Sequence, residues 1–288
     1  MDRSTHPRDD VAIIGLSGLF AGSRDKLAYW QNILARRDNV CLAPASWAEP
    51  WYDREADHQG IDSARIRTRK VGLIGDLALF EPLEFGIPPR AVEGDPAHYL
   101  ALQLAGDALR DAGYADRPFD RQRTGVIVGH GASPNRSDTL SMQYGLVVDQ
   151  TLDILKGVLP ELGAEQLLAL RQALKRSLPR IEIEQAPVLV SNIISGRISN
   201  RFDLMGPSYL VDSACSSSLI ALDLAVQDLR SGRCSMVLVG GVQASMPAQI
   251  YMLFQQLGAL ARTDIRPFDA AANGTQQGEG VGFCVLKR

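Results

Sequence analysis

The sequence predicts an α/β fold, in which short buried strands alternate with amphipathic helices. Two observations carry this prediction. Apolar runs of strand length end at glycine, as at residues 11–15 and 124–129, and segments with apolar residues at helical spacing lie between such runs. At 288 residues, 45% of them hydrophobic, the chain is long enough to bury a large core as one α/β domain or as two fused halves.

The first 113 residues contain three predicted elements and one irregular segment. A strand at 11–15 is followed by a helix at 26–37, with Ser23 as a candidate N-cap. Four apolar residues lie at helical spacing in this helix: Leu27, Trp30, Ile33 and Leu34. Residues 41–69 are rich in Pro, Asp, Trp and Arg without a clear period, which predicts an irregular surface segment able to cover a site. A helix is expected at 96–112, ending at Gly113.

The alternation of strands and helices is interrupted after the buried strand predicted at 124–129. Residues 131–180 contain two leucine-rich helical patterns separated by Pro160 and Gly163, and we interpret them as an inserted helical lobe. A helix over 188–202 leads to Gly206 and Pro207, and a strand follows at 209–211. Another helix ends near Gly232, and a buried strand is predicted at 235–239.

Composition excludes several classes of protein. The net charge is −3 and the basic residues are dispersed, so a nucleic-acid partner is not expected. The charged N-terminus and the absence of a long apolar run predict a soluble, cytoplasmic protein without a membrane span. The four cysteines (Cys41, Cys215, Cys234 and Cys284) show no CxxC or CxxH spacing, so neither a disulfide framework nor a metal site is indicated, and no cofactor is expected.

The run from Val211 to Leu219 is the strongest functional signal. A β-favouring stretch enters small residues and then a helical pattern, which places Cys215 at a sharp strand-to-helix turn. The first amides of a helix and its dipole favour a thiolate and can hold the oxyanion of an acyl transfer. The competing interpretation is an ordinary buried thiol beside a helix cap. In an α/β sheet such a turn lies at the carboxyl ends of the strands, where sites form.

Residues 192–208 (NIISGRISNRFDLMGPS), followed by the DSACSSSL run at 212–219, resemble the active-site block of β-ketoacyl synthases, the condensing enzymes of fatty-acid and polyketide assembly. The opening VAIIGLSGLFAGS resembles the first strand of that family. RPFD at 266–269 and GEGVG at 278–282 resemble a later block. Residues 145–151 and the helical lobe look most like the synthase domains of multidomain polyunsaturated-fatty-acid and iterative polyketide synthases.

The resemblance implies a thiolase-like fold, usually a homodimer, built of two related halves of βαβ-rich sheet with helices on both faces. Residues 1–288 would form the N-terminal domain, with the C-terminal half absent. Cys215 would accept an acyl chain from an acyl carrier protein, and a malonyl-type extender on a carrier protein would lose CO2 and attack that thioester. The family's two histidines belong to blocks of the C-terminal half, and these 288 residues contain neither block.

The remaining titratable residues have less specific interpretations. His6, His58, His98 and His130 lie in no matching context. His130 could serve as a local base for Cys215. The alternative interpretation is a polar surface residue in a loop. We expect Glu279 to hold a loop and Asp212 to orient the turn by accepting backbone amides. We expect Arg197 and Arg201 to be ion-pair and packing residues, and Cys234 and Cys284 to be inert core thiols.

Two further interpretations of the whole chain remain open. One is a non-catalytic docking or dimerisation module, comparable to a chain-length factor, and the other is a truncated inactive fragment. Retention of Cys215 favours the enzyme, because chain-length-factor relatives commonly replace that cysteine. A half-domain would also expose an apolar face, so association with a partner or with itself is expected.

Overall fold

A computed structural model describes residues 10–48, 66–92, 94–131, 142–178 and 190–288. The described residues form seven strands: β1 (Ala12–Phe20), β2 (Cys41–Leu42), β3 (Lys70–Val71), β4 (Thr124–Gly129), β5 (Ser208–Val211), β6 (Met236–Gln243) and β7 (Gly280–Lys287). They also form eight α-helices: α1 (Lys26–Leu34), α2 (Ala45–Ala48), α3 (Ala97–Asp111), α4 (Val148–Val158), α5 (Ala164–Ser177), α6 (Ile193–Phe202), α7 (Ser217–Arg230) and α8 (Ala248–Gln256).

Five of these strands form one mixed sheet in the order β1-β7-β6-β4-β5. The strands β5, β4 and β6 are parallel, whereas β7 runs antiparallel to β6 and to β1. The carboxyl ends of β4, β5 and β6 therefore meet at one edge of the sheet. β2 and β3 form a separate antiparallel pair.

Helices cover both faces of the sheet, and β4 shows why. Val126 and Val128 point to the face covered by α3 and α6, whereas Ile127 points to the face covered by α7. All six residues of β4 are buried, because apolar side chains alternate between two covered faces. The α/β sheet with helices on both faces is confirmed.

The predicted elements are mostly found, with differences at their ends. The strand at 124–129 is confirmed, and the helix expected at 96–112 spans Ala97–Asp111. β1 runs to Phe20, well past the predicted end at Gly15, because residues 15–20 pair with β7. The cap of α1 is Asp25, which accepts the Ala28 N–H, so the expectation of Ser23 was wrong.

The region of the helical lobe contains α4 and α5, as the leucine patterns predicted, preceded by a π-helical turn at Gln143–Val147. Residues 132–141 and 179–189 lie outside the described residues, so the boundaries 131–180 and the status of this region as an insertion remain predictions. The predicted helix at 188–202 corresponds to α6, which begins at Ile193.

Residues 41–69 were expected to be an irregular surface segment, and their described part is more ordered than that. It contributes β2 and α2 and places Ala43 and Ile66 in a second core cluster with α8. The Trp47 indole packs edge-on against Tyr251 and donates a hydrogen bond to the Met246 carbonyl at 2.7 Å. This cluster fixes the polypeptide that leads into α8.

Several of the described helices present apolar side chains to solvent, α1 and α7 among them. In α1 the residues predicted on one face lie outward, with Leu27 65% and Trp30 57% exposed. In α7 the outer face carries Leu219 and Ile220, of which Leu219 is 68% exposed. An exposed apolar face of this kind is typical of an interface. Among the described helices none has the length and apolarity required to span a membrane.

Candidate active site

Cys215 lies in the tight turn that joins β5 to α7. The strand ends at Val211, one 3₁₀ turn spans Ala214–Ser216, and α7 begins at Ser217. Ala214, directly before the cysteine, has φ of +52°, a left-handed conformation that costs a non-glycine residue about 1–2 kcal/mol. The Cys215 side chain is exposed, so the alternative of an ordinary buried thiol does not hold.

Hydrogen bonds within the turn hold this conformation. Asp212 Oδ1 accepts the Ala214 N–H at 2.9 Å, which confirms the expected orienting role of this carboxylate. Ser217 Oγ accepts the Ser213 N–H at 3.0 Å and donates to the Ala214 carbonyl at 2.6 Å. These bonds stabilise the strained backbone on both sides of Cys215.

Glycines at the ends of β4 and β6 let the first turn of α7 pack onto the sheet. A Cβ on Gly129 would lie 2.5 Å from the Ser217 carbonyl carbon and from the Ser218 nitrogen, closer than any real contact. A Cβ on Gly241 would lie 2.7 Å from Ser218 Cβ. The helix start therefore rests directly on the strand ends, which fixes the position of the turn that precedes it.

An open cavity of about 830 Å³ lies at this edge of the sheet, within the usual range of small-molecule sites. Cys215 lines it together with residues that follow β4 and β6. The lining also includes the apolar residues Met246, Ile250 and Phe254, of which Met246 precedes α8 and the other two lie one turn apart within it. The cavity therefore combines a thiol with a surface suited to a hydrocarbon chain.

His130 follows β4 and lines the same cavity, but it is only 7% exposed. Its Nδ1 lies 2.8 Å from the Val242 carbonyl oxygen. Because a carbonyl only accepts hydrogen bonds, Nδ1 is the donor in this bond, which orients the ring. The interpretation of His130 as a polar surface residue was wrong, because it directly follows the closely packed strand end at Gly129 and is itself buried.

His98 lies behind this site in the first turn of α3. Burial lowers the pKa of His98 to about 3, with further lowering by the positive charge of Arg197 and by His130. The side chain is therefore neutral at pH 7, and its buried Nδ1 has no hydrogen-bond partner among the described residues. His6 and His58 lie outside the described part of the chain.

Glu279 has the structural role expected from the sequence. Its two carboxylate oxygens accept the Ile74 N–H at 2.9 Å and the Met246 N–H at 3.0 Å. Burial raises the pKa of Glu279, and these two amide bonds oppose the shift. The carboxylate thereby ties the loop before β7 to the segment before α8 at the cavity wall.

The two arginines of α6 were expected to be ion-pair and packing residues. The packing is present, because the Arg197 guanidinium lies over the Tyr99 ring at 4.9 Å. Neither Arg197 nor Arg201 forms an ion pair within the described residues.

The other three cysteines differ from Cys215 in position. Cys41 is exposed in β2, away from the cavity lining. Cys234 is buried and Cys284 half-buried, and burial raises the pKa of both thiols, which makes them poor nucleophiles. In the described ranges, no three His, Cys, Asp or Glu side chains come together as a metal-binding group.

A mixed α/β sheet with a cysteine at a strand-to-helix turn, exposed to a cavity, is the arrangement expected of a protein of the ketosynthase class. The model of the β-ketoacyl synthase N-terminal domain matches residues 8–288. The chain belongs to the β-ketoacyl synthase family.

Similar proteins are polyketide synthases. The chain is 31% identical over 286 residues to polyketide synthase PksL of Bacillus subtilis, covering 98% of this chain and 5% of that protein. It is 30% identical over 286 residues to the spectinabilin polyketide synthase system protein NorC of Streptomyces orinoci, covering 97% of this chain and 11% of that protein. It thus spans a small part of these relatives.

Solved structures show the same fold. The ketosynthase from module 6 of the bacillaene synthase of Bacillus subtilis matches with a TM-score of 0.68 and 29% identity, over 96% of this chain and 40% of that one. The oxazolomycin ketosynthase domain OzmH KS7 of Streptomyces albus matches with a TM-score of 0.70 and 27% identity, over 97% and 43%. These relatives support a relationship of this chain to polyketide ketosynthases in general. They do not specifically support a relationship to the polyunsaturated-fatty-acid or iterative synthases.

Proposed function

We propose that this chain is the N-terminal portion of a polyketide ketosynthase and that Cys215 accepts an acyl chain from an acyl carrier protein. The observation that carries the proposal is the position of Cys215, exposed at the start of α7 and lining a cavity that contains apolar residues. A thiolate there is stabilised by the helix N-terminus and can attack a thioester.

The first half-reaction follows from the site. The Cys215 sulfur attacks the carbonyl carbon of the carrier thioester, the carrier's C–S bond breaks, and the acyl group remains on the enzyme as a new thioester. The amide of Cys215 is a donor for the oxyanion of the tetrahedral intermediate. Met246, Ile250 and Phe254 provide the apolar surface against which the acyl chain packs.

The second half-reaction is decarboxylative condensation with a malonyl-type extender held on a carrier protein. We assign it to a complete ketosynthase, in which this chain is complemented by a C-terminal half that supplies the family's two histidines. We further propose a homodimer, a cytoplasmic location, and no nucleic-acid or membrane partner. Assignment to polyunsaturated-fatty-acid or iterative synthases rests on residues 145–151 and the helical lobe alone and stays a prediction.

The exposed apolar residues of α1 and α7 favour a second candidate, a non-catalytic docking or dimerisation module. In that case Cys215 would not be acylated by a thioester. A truncated inactive fragment makes the same prediction for Cys215. One labelling experiment therefore separates the enzyme from both alternatives.

The 288-residue chain is incubated with hexanoyl-N-acetylcysteamine, a small acyl thioester, and the mass of the intact protein is measured over time. The expected result is a single acyl addition that peptide mapping places on Cys215. Cys215→Ala should abolish it. Cys41→Ala is the matched control, because Cys41 is also exposed but lies outside the cavity, and it should leave labelling unchanged. Folded protein that acquires no acyl group, or acquires it equally on Cys41, would contradict the proposal.

A further inference from the structure

A cluster of basic side chains lies at the end of the sheet opposite Cys215, and the proposed function does not use it. We call this cluster the basic rim, and its members are Arg117, Arg121, Arg123, Lys287 and Arg288. Arg123 directly precedes β4, whereas Gly129 at the other end of β4 lines the cavity. At about 3.3 Å per residue of strand, the rim and the cavity are about 20 Å apart.

Two aromatic rings bring three members of the basic rim together. The rings of Tyr114 and Phe119 pack edge to face with their centroids 5.2 Å apart. The Arg117 guanidinium lies 5.4 Å from the Tyr114 centroid, and Lys287 Nζ lies 5.7 Å from the same centroid and 3.1 Å from the Tyr114 hydroxyl. The Arg121 guanidinium lies 4.7 Å from the Phe119 centroid. These three cations therefore surround one pair of rings.

The register of the sheet places the other two members beside them. Thr124, Met236 and Lys287 lie opposite one another on β4, β6 and β7. Arg123, directly before Thr124, is therefore about two strand spacings, or about 10 Å, from Lys287. Arg288 follows Lys287, so all five members belong to one surface.

Neutral groups hold the cations of the basic rim. Three guanidinium groups donate to backbone carbonyl oxygens: Arg121 to Phe202, Arg123 to Gly232 and Arg288 to Leu229. Within the described ranges no carboxylate side chain forms an ion pair with any of the five members. By contrast, three other lysines each pair with an aspartate: Lys26, Lys70 and Lys156. Carbonyls and rings orient a cation without neutralising its charge.

The carboxylates near the basic rim do not balance it. Asp10, Asp116 and Asp120 are exposed in neighbouring segments, which gives three negative charges against five positive ones. Arg233 and Asp228, at the adjacent end of α7, pair with each other at 3.4 Å. The whole chain carries a net charge of −3, so this surface has the opposite sign to the protein as a whole. Such a surface attracts an acidic partner.

We propose that the basic rim binds an acidic protein segment, a stretch of polypeptide that carries several Asp or Glu side chains. The planar guanidinium groups match carboxylates in a bidentate geometry. A single-stranded nucleic acid suits this surface less, because its bases stack on exposed rings and Tyr114 is only 7% exposed. A partner bound there would leave the Cys215 cavity open, so this inference goes beyond the proposed function and does not depend on it.

The test uses fluorescein-labelled octaglutamate as the probe, with binding to the 288-residue chain measured by fluorescence anisotropy at low salt. Arg117→Glu/Lys287→Glu should raise the Kd roughly 10-fold or more, because two attractive contacts become repulsive, and this variant should gain affinity for octalysine. Lys175→Glu/Arg176→Glu on α5 is the matched control: it changes the net charge equally on two exposed residues and should alter the Kd by less than about 3-fold. Added salt should weaken wild-type binding.

Cross-linking locates the bound peptide on the wild type itself. The chain contains five lysines, and a carbodiimide joins a lysine amine directly to a peptide carboxylate that contacts it. We expect octaglutamate to be cross-linked mainly to Lys287.

Three results would overturn the inference: cross-links spread evenly over the five lysines, an unchanged Kd in the folded rim variant, or tighter binding of oligothymidylate than of octaglutamate at the same surface. If the rim variant does not fold, as judged by circular dichroism, the cross-links on the wild type decide. Acylation of Cys215 should be unchanged in the rim variant, so failure of this inference leaves the ketosynthase proposal standing.

Discussion

Replacing Gly129 by alanine tests whether the close packing of strand and helix positions the nucleophile. The new Cβ would lie 2.5 Å from backbone atoms of Ser217 and Ser218, against 3.4 Å for an ordinary contact, so the helix start must move by about 0.9 Å. Backbone atoms cannot rotate away as a side chain can. Overpacking of this kind costs roughly 1–3 kcal/mol, and a displacement near 1 Å reduces rate by roughly 100-fold.

The assay measures acylation of Cys215 and thermal melting in the same preparation. For Gly129→Ala we expect a fall in Tm of about 2–12 °C, from about 2–4 °C per kcal/mol for large domains, together with the loss of acylation. Gly196→Ala is the matched control: Gly196 lies in α6, and its added Cβ meets nothing within 4 Å. This control should melt at the same or a higher temperature, because alanine favours a helix by about 1 kcal/mol.

The reasoning is refuted if Gly129→Ala melts and reacts as the wild type does. In that case the start of α7 could move without consequence for Cys215, and the glycine at the end of β4 would have no positioning role. A loss of Tm without a loss of acylation would restrict the role of this contact to stability.

Three further predictions concern single side chains. Ala214→Gly should leave Tm unchanged or raise it, because φ of +52° suits glycine, whereas Ala225→Gly in the buried face of α7 should lower Tm by several degrees. Glu279→Gln should lower stability by roughly 1–3 kcal/mol at pH 7, because a buried N–H loses its acceptor. Since the folded-state pKa of Glu279 is raised, the wild type gains stability relative to this variant as pH falls through that pKa, so the Tm difference should widen towards pH 4. The wild type should sediment as an oligomer, and Leu219→Glu should shift it towards the monomer, because Leu219 is 68% exposed on the apolar face of α7; a compact wild-type monomer would contradict this.

The turn at Cys215 could be predicted from the sequence because its signals are local. Small residues, a preceding β-favouring stretch and a following helical pattern all act within ten residues of the thiol. The same holds for β4, where an apolar run buried on both faces leaves little choice of conformation. Periodicity and turn chemistry are sufficient in such places.

Long-range contacts account for what the sequence did not reveal. β1 contains Gly15 and Gly18, which interrupt its apolar run, yet it continues because β7 pairs with it from residues about 265 positions away. The burial of His130 depends on Val242 and on the first turn of α7, which no local pattern connects to it. The apolar spacing of α1 predicted the helix itself but not its surroundings: Leu27 and Trp30 point outward, because periodicity identifies a face without identifying what covers it.

The pairing of β1 with β7 has a consequence for folding during synthesis. β1 leaves the ribosome well before its hydrogen-bonding partner on the sheet, the strand at Gly280–Lys287. At a synthesis rate of about 5–20 residues per second, β7 follows β1 after roughly 15–50 s. During this time the first strand must be held in a collapsed or chaperone-bound nascent chain. Destabilising changes in β7 should therefore reduce the yield of folded protein in cells more than they reduce the stability of protein that has already folded.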